Sequence, residues 1–248
     1  MRRVMQAIEQ ETMELGRAPF FDFLRDKGID ARRRLAFAPC TAHFVMSFAD
    51  LYALVLREEP TSDPYQTLVN AHTREDENHW QWFLKDLEKL GANPAIPLSD
   101  ALRFVWGDAT VRMRVLTYQM CRLGFRADSL RKLVLVHVIE AAGKVTIESV
   151  SEVGREFGLA TGERLVYLGP HHFDTEGNHT IETSSVHSAI EDIPLDADTA
   201  AELIAMVVES FGYFRSFVDE MHDFAVHGQA LGQSLPVVEA QTASTTMS

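Results

Sequence analysis

The sequence predicts an all-α protein, and three observations carry that expectation. Apolar residues recur with the 3.6-residue helical period along nearly the whole chain. No region alternates Val, Ile and Thr between flanking turn pairs, as strands do. Start and stop signals divide the chain into about seven helices with short connections and no Pro/Gly-rich linker, which implies one domain over residues 1–227.

Residues 3–26 carry the helical rhythm, with Pro19 marking a break or a fresh start. Residues 31–58 read as one long, mostly buried helix ended by Pro60. In Thr61-Ser62-Asp63-Pro64, Asp63 is the expected N-cap and Pro64 the first helical residue. That helix runs to Leu90, where Gly91 and then Pro94 stop it. Ser99-Asp100 opens the next, which reaches about Leu123 before Gly124. Asp128 or Ser129 caps another that runs to about Phe157 and contains Gly143 and Gly154. Gly169-Pro170 introduces a helix to about Ala189, and Asp196-Ala197-Asp198 begins a last one to near Val226. Residues 228–248 are small and polar, and read as a disordered tail.

Composition narrows the function classes. Of 248 residues, 46% are hydrophobic and 24% charged, which are ordinary globular values. The balance of 23 basic against 36 acidic residues gives a net charge of −13, which disfavours nucleic acid and anionic membranes as partners. No uninterrupted apolar stretch reaches the roughly 20 residues that span a bilayer. Met1-Arg2-Arg3-Val4 begins basic, but no apolar run and cleavage site follow, so no signal peptide is expected. Cys40 and Cys121 read as buried reduced thiols, and a cytoplasmic location is the default expectation.

The chemistry lies in two matching triplets. His72, Asp76 and His79 share the pattern His-x3-acid-x2-His with His172, Glu176 and His179. On a helix, steps of four and seven residues return to within about 40° and −20° of the first side chain, so each triplet forms one stripe. Two imidazoles and a carboxylate are the mixed N/O set of zinc, iron, copper and manganese sites. Random placement of this chain's 10 histidines and 36 acids would produce only about 0.06 such triplets. A metal site is therefore the leading expectation.

In the first stripe, His72, Glu75, Asp76 and His79 share one side within about 100° of arc, whereas Glu77 points away. His72, Glu75 and His79 are the expected ligands, with Asp76 competing for the carboxylate's place. In the second, His172, Glu176 and His179 form a full set, and His171 projects about 100° off toward the surface. A further acid is wanted from another helix. Glu140 supplies it, because a lone carboxylate in the apolar run Leu133 to Ala142 is costly to bury unpaired; an i+4 pair with Lys144 is the plainer alternative. His137 reads as a core histidine, and His43 with Asp50 as a satisfied core pair. Arg103, Arg112, Arg114, Arg122 and Arg126 offer an anchor for a substrate carboxylate without singling one out.

With these residues in order, the chain resembles the haem-oxygenase-like dimetal oxidases, an all-helical family related in fold to thiaminase II and pyrroloquinoline-quinone synthase. The resemblance rests on the acid/His cluster Glu75, His79, Trp80, followed by Lys85-Asp86-Leu87 and Leu90-Gly91. It rests further on the isolated Glu140 and, most specifically, on His172, Glu176 and His179. It covers roughly residues 5–225. It implies a haem-oxygenase-like bundle in which two irons, or manganese or zinc in their place, are held by three histidines and three carboxylates. With O2 as co-substrate, such a centre oxidises a bound small molecule, and a homodimer is the common state. By the resemblance, His172, Glu176 and His179 serve the metals together with His79 and Glu140. Family members commonly carry Glu where His72 stands, and Glu75 is the candidate replacement. That departure leaves a mononuclear site, a different metal or a histidine-richer centre open.

Two other enzymatic or iron-handling readings compete. A ferritin-like iron-handling protein would use Asp76-x-x-His79 and Glu176-x-x-His179 as paired acid-x-x-His helices, leaving His72 and His172 idle. A metal-free enzyme of the thiaminase or quinone-cofactor type would need a nucleophilic thiol, for which Cys121 is the one plausible choice. A helical interaction domain without catalysis would tolerate loss of every ligand histidine.

Overall fold

The computed structural model describes residues 1–176 and 184–227, apart from the side chains of Glu176, Ser184 and Ser185. Among the described residues every regular element is helical and no strand occurs. The fold is all-α, as the periodicity predicts.

Helices α1 (Arg2–Leu15) and α2 (Pro19–Arg25) part where Pro19 takes the first helical position. The single helix expected over 31–58 is instead four pieces. They are α3 (Ala31–Arg34), a 3-10 turn Ala38–Thr41, α4 (Ala42–Asp50) and a π-helical turn Leu51–Leu56. Pro39, which has no N–H to give an α-helical ladder, stands in the 3-10 turn. By length and composition the run Ala31–Leu56 is apolar enough to cross a membrane, a reading that no unbroken apolar stretch suggested. Here its Leu51, Tyr52 and Leu56 side chains lie in the buried core.

Helix α5 (Pro64–Asp76) starts as the sequence requires: the Asp63 carboxylate accepts the N–H groups of Tyr65 and Gln66 at 2.8 and 3.0 Å. It does not continue unbroken to Leu90. Residues 77–79 form a tighter turn, in which the His79 N–H donates to the Asp76 carbonyl, and α6 (Trp80–Lys89) follows. Gly91, in the left-handed region at φ +68°, ends α6 where a helix-terminating glycine was expected. Gly107 and a 3-10 turn likewise divide the next expected helix into α7 (Leu98–Trp106) and α8 (Val111–Gly124). Glu220 caps α8 from another helix, accepting the N–H groups of Arg112 and Met113 at 2.9 Å each.

Helix α9 (Ser129–Thr161) is the central element. Asp128 caps it through the Arg131 N–H at 2.8 Å, and Gly162, at φ +81°, ends it about a turn beyond the expected stop at Phe157. Its segment from Lys132 to Glu140 is buried on every side. A helix buried all round must sit inside a bundle, and α9 packs against α1, α2, α3, α5 and α8. It also packs against α10 (Pro170–Glu176) and α12 (Ala197–His227). Helix α11 (Ser184–Glu191) lies against α1. The helix expected from Pro170 to Ala189 is thus seen as α10 and α11, and residues 177–183 between them lie outside the described residues. The expected tail, 228–248, lies outside them as well.

Two contacts fix the segment that leads into α10. Asp86 of α6, wholly buried, accepts the Val166 N–H at 2.9 Å and the Leu168 N–H at 2.9 Å. Burial pushes the Asp86 carboxyl above its usual value, while those N–H groups hold it back. On the other side, Gly154 of α9 lets the backbone come close: a Cβ there would stand 1.9 Å from the Leu168 carbonyl oxygen. The sequence marked Gly154 only as a glycine inside a helix, and its reason is this approach.

Asp86→Ala is therefore expected to lower stability by about 3 kcal/mol, since it leaves the buried Leu168 N–H and the half-buried Val166 N–H without their acceptor. Gly154→Ala is expected to cost about 1–3 kcal/mol by forcing the 165–169 segment off α9. Urea denaturation of each variant checks both, and a loss under about 0.5 kcal/mol would show the segment is held elsewhere.

Candidate metal centre

The tight turn after α5 builds the first half of the site. A 3-10-like turn has three residues per turn, so side chains three apart eclipse one another. Asp76 and His79 are three apart, and their Oδ1 and Nδ1 atoms lie 2.5 Å from each other. The His79 ring stacks on Trp82, with centroids 4.3 Å apart and planes at 19°. His72, one α-turn before Asp76, is wholly buried, and its Nε2 lies 3.0 Å from Oε1 of Glu140 on α9. Tyr52, from the π-helical turn, brings its hydroxyl to 3.4 Å of the same nitrogen. π-Helical turns recur at functional sites, and this one faces a candidate ligand.

Helix α10 delivers the second half. His172 is buried, and its Nδ1 lies 2.9 Å from the Tyr167 carbonyl oxygen. A ring N–H donated to a carbonyl fixes the tautomer and leaves Nε2 with its lone pair, the usual support of a metal-bound histidine. The rings of His172 and His79 meet edge to face at 4.9 Å. The segment held by Asp86 and Gly154 carries Tyr167, so those two residues set where His172 sits.

Together these side chains form two buried groups, Asp76–His79–His172 and His72–Asp76–Glu140, whose donor atoms lie within 4.8 Å of one another in each. Asp76 belongs to both. Two carboxylates, Asp76 and Glu140, therefore face each other at short range in a place shielded from water. Like charges so placed repel unless a proton or a cation stands between them. Imidazole and carboxylate donors in two adjoining triads suit iron, manganese or zinc, so the residues present fit a metal centre.

Of the candidates from the sequence, His72, His79, Glu140 and His172 meet in this cluster. Among the described residues, neither group includes Glu75. It is exposed, and Asp76, its competitor, is the buried carboxylate, because the α5 face that turns toward α9 carries His72 and Asp76. The Glu176 side chain and all of His179 lie outside the described residues. His171 is exposed, as expected. His43 is buried but pairs with Thr117 Oγ1 at 3.2 Å, while Asp50 is exposed; the expected core pair of His43 with Asp50 is not formed. Cys121 is half-buried, and burial with the nearby Asp50 carboxylate pushes its thiol up, the reverse of an activated nucleophile. Tyr52 escaped the sequence analysis altogether, because nothing in an apolar stretch announces a π-helical turn.

A cavity of about 120 Å³ opens beside the cluster. Asp76, His79, Glu140 and His172 line it, together with Phe44, Phe48, Phe214 and Phe217. No protein-family model matches the chain, and no curated protein does.

His137, one turn before Glu140, is a core histidine as read: it is 4% exposed, and its Nε2 has no hydrogen-bond partner among the described residues. Burial pushes its pKa down to about 4, with His187 and His72 adding to the effect and Glu140 opposing it. The unfolded chain takes up this proton first. Stability is therefore expected to fall as pH drops from about 6.5 toward 4, by on the order of 3 kcal/mol from this residue, and to level off below. In the metal-free protein, His137→Gln should flatten that acid limb in urea melts taken across the range; an unchanged slope would assign the limb to other groups.

Proposed function

We propose that this chain is a metal-dependent, O2-using oxidase or oxygenase of the haem-oxygenase-like class, acting on a small organic molecule. The observation that carries the reading is the pair of buried His/carboxylate triads sharing Asp76, set in the wall of an apolar cavity. His79, His172 and Asp76 would hold one metal ion, and His72, Asp76 and Glu140 a second. Glu176 and His179 are additional ligands on the sequence pattern alone. Iron(II) so bound would supply the electrons for O2. The protein's part is to keep the donors rigid and water out. Trp82 stacked on His79 and the Tyr167 carbonyl on His172 fix two imidazoles, and the phenylalanine wall excludes solvent.

A ferritin-like iron-handling role fits less well. Paired acid-x-x-His helices leave His72 and His172 idle, yet both are buried within the two triads. A thiaminase-like role lacks its nucleophile among the described residues, since Cys121 is deactivated by burial and does not line the cavity.

Anaerobic Fe(II) titration is expected to saturate near about two ions per chain, and the reduced, loaded protein to consume O2. His79→Ala, His172→Ala and Asp76→Asn should each weaken metal binding by about 10–100-fold, whereas Glu75→Ala should leave it within about twofold. Absence of Fe(II) binding would end this reading. Metal binding with iron-core growth and no small-molecule turnover would favour the ferritin-like alternative.

A further inference from the structure

The lining of the cavity beside the cluster combines the polar donors with a group of phenylalanines. Among the residues that line it, Phe44 packs edge-on against Phe48 at 5.2 Å, Phe217 at 5.2 Å and Phe214 at 6.3 Å. Three of the polar side chains that also line the space are committed elsewhere. Thr41 Oγ1 donates to the Ala38 carbonyl at 2.8 Å, and Thr146 Oγ1 to the Ala142 carbonyl at 2.8 Å. Glu77 is held by Arg57 at 2.6 Å, and Lys144 is exposed. A charged or hydrogen-bonding group placed against the phenylalanines would lose its water and gain no partner there.

Gly143 also lines the cavity, one turn after Glu140 on the central helix. Its cost in a helix interior is not explained by crowding: a Cβ there would meet only Ile147 Cδ1, at 4.0 Å. What the missing side chain leaves is room, next to a candidate metal ligand.

We propose that the substrate presents an uncharged hydrocarbon group, alkyl or aryl, to the donor cluster, and that Gly143 determines how large that group can be. The inference rests on the metal-centre reading for the chemistry, but not for the binding itself. Recognition is by apolar burial between the phenylalanine wall and α9, and any charged part of the molecule stays at the Lys144 side, where solvent reaches.

Ligand-observed saturation-transfer NMR on the full chain, metal-free and loaded with Co(II), tests this with hexanol and phenylethanol against ethanolamine and glycine. Hexanol or phenylethanol should show transfer that the two polar compounds lack, and the stronger of the pair tells alkyl from aryl. Gly143→Leu should weaken the apolar ligand about tenfold while Co(II) absorbance titration stays within about twofold of the parent. Should the leucine variant fail to fold, Gly143→Ala is the second test. It should raise Tm, as an open helix interior allows, and weaken the larger ligand. Polar compounds binding as well as hexanol, or a Gly143 variant binding hexanol like the parent, would overturn the proposal. Loss of Co(II) binding with apolar binding intact would instead sink the metal reading and leave this one standing.

Discussion

Burying Asp76 and Glu140 together is the constraint on which the rest of the structure turns. Two carboxylates removed from water cost several kcal/mol each unless they are hydrogen-bonded or share a cation. Their partners here are imidazoles: His79 beside Asp76, and His72 beside Glu140. Each imidazole is itself braced, His79 by the Trp82 face and His72 by the Tyr52 hydroxyl. A cluster of this kind survives only if every member is held, and the surrounding elements are arranged to hold them.

Much of the local irregularity follows. The turn at 77–79 shortens the helical repeat where Asp76 and His79 must eclipse. The π-helical turn at Leu51–Leu56 places Tyr52 against His72, and a buried amide network locks that turn to α5. In it Gln66 donates to the Leu56 carbonyl at 2.8 Å, and Asn70 both donates to and accepts from the Glu58 backbone. Arg57 ties the end of the same segment to the Thr73 carbonyl at 2.8 Å. Asp86 and Gly154 then bring the 165–169 segment, and with it His172, onto the cluster from the opposite side. These features are far apart in the chain and serve one small volume.

The legible parts were those with a local cause. Asp63, Asp128, Gly91 and Pro19 each mark a helix end through their own side chain or φ preference, and each stands where it was read. His72, His79 and His172 were found through the repeated His-x3-acid-x2-His spacing, and Glu140 because a lone acid is conspicuous in an apolar helical stretch. The choice between Glu75 and Asp76 was not local. They differ by one residue and about 100° on the helix, and periodicity places both on the same broad side. Only the packing of α5 against α9 shows that Asp76 turns inward.

The sequence by itself determined the all-helical class, most helix starts and the kinds of side chain that make the candidate site, because helical period, capping and donor chemistry are properties of neighbouring residues. Tertiary structure decided which donors share one volume, that Asp76 stands between two histidine-bearing groups, and why Gly154 is a glycine. It also decided that the apolar run from Ala31 would bend through 3-10 and π turns instead of forming one helix. Those outcomes depend on what the rest of the chain places against each residue, and a desolvated carboxylate 64 positions from its partner acid leaves no mark in either segment alone.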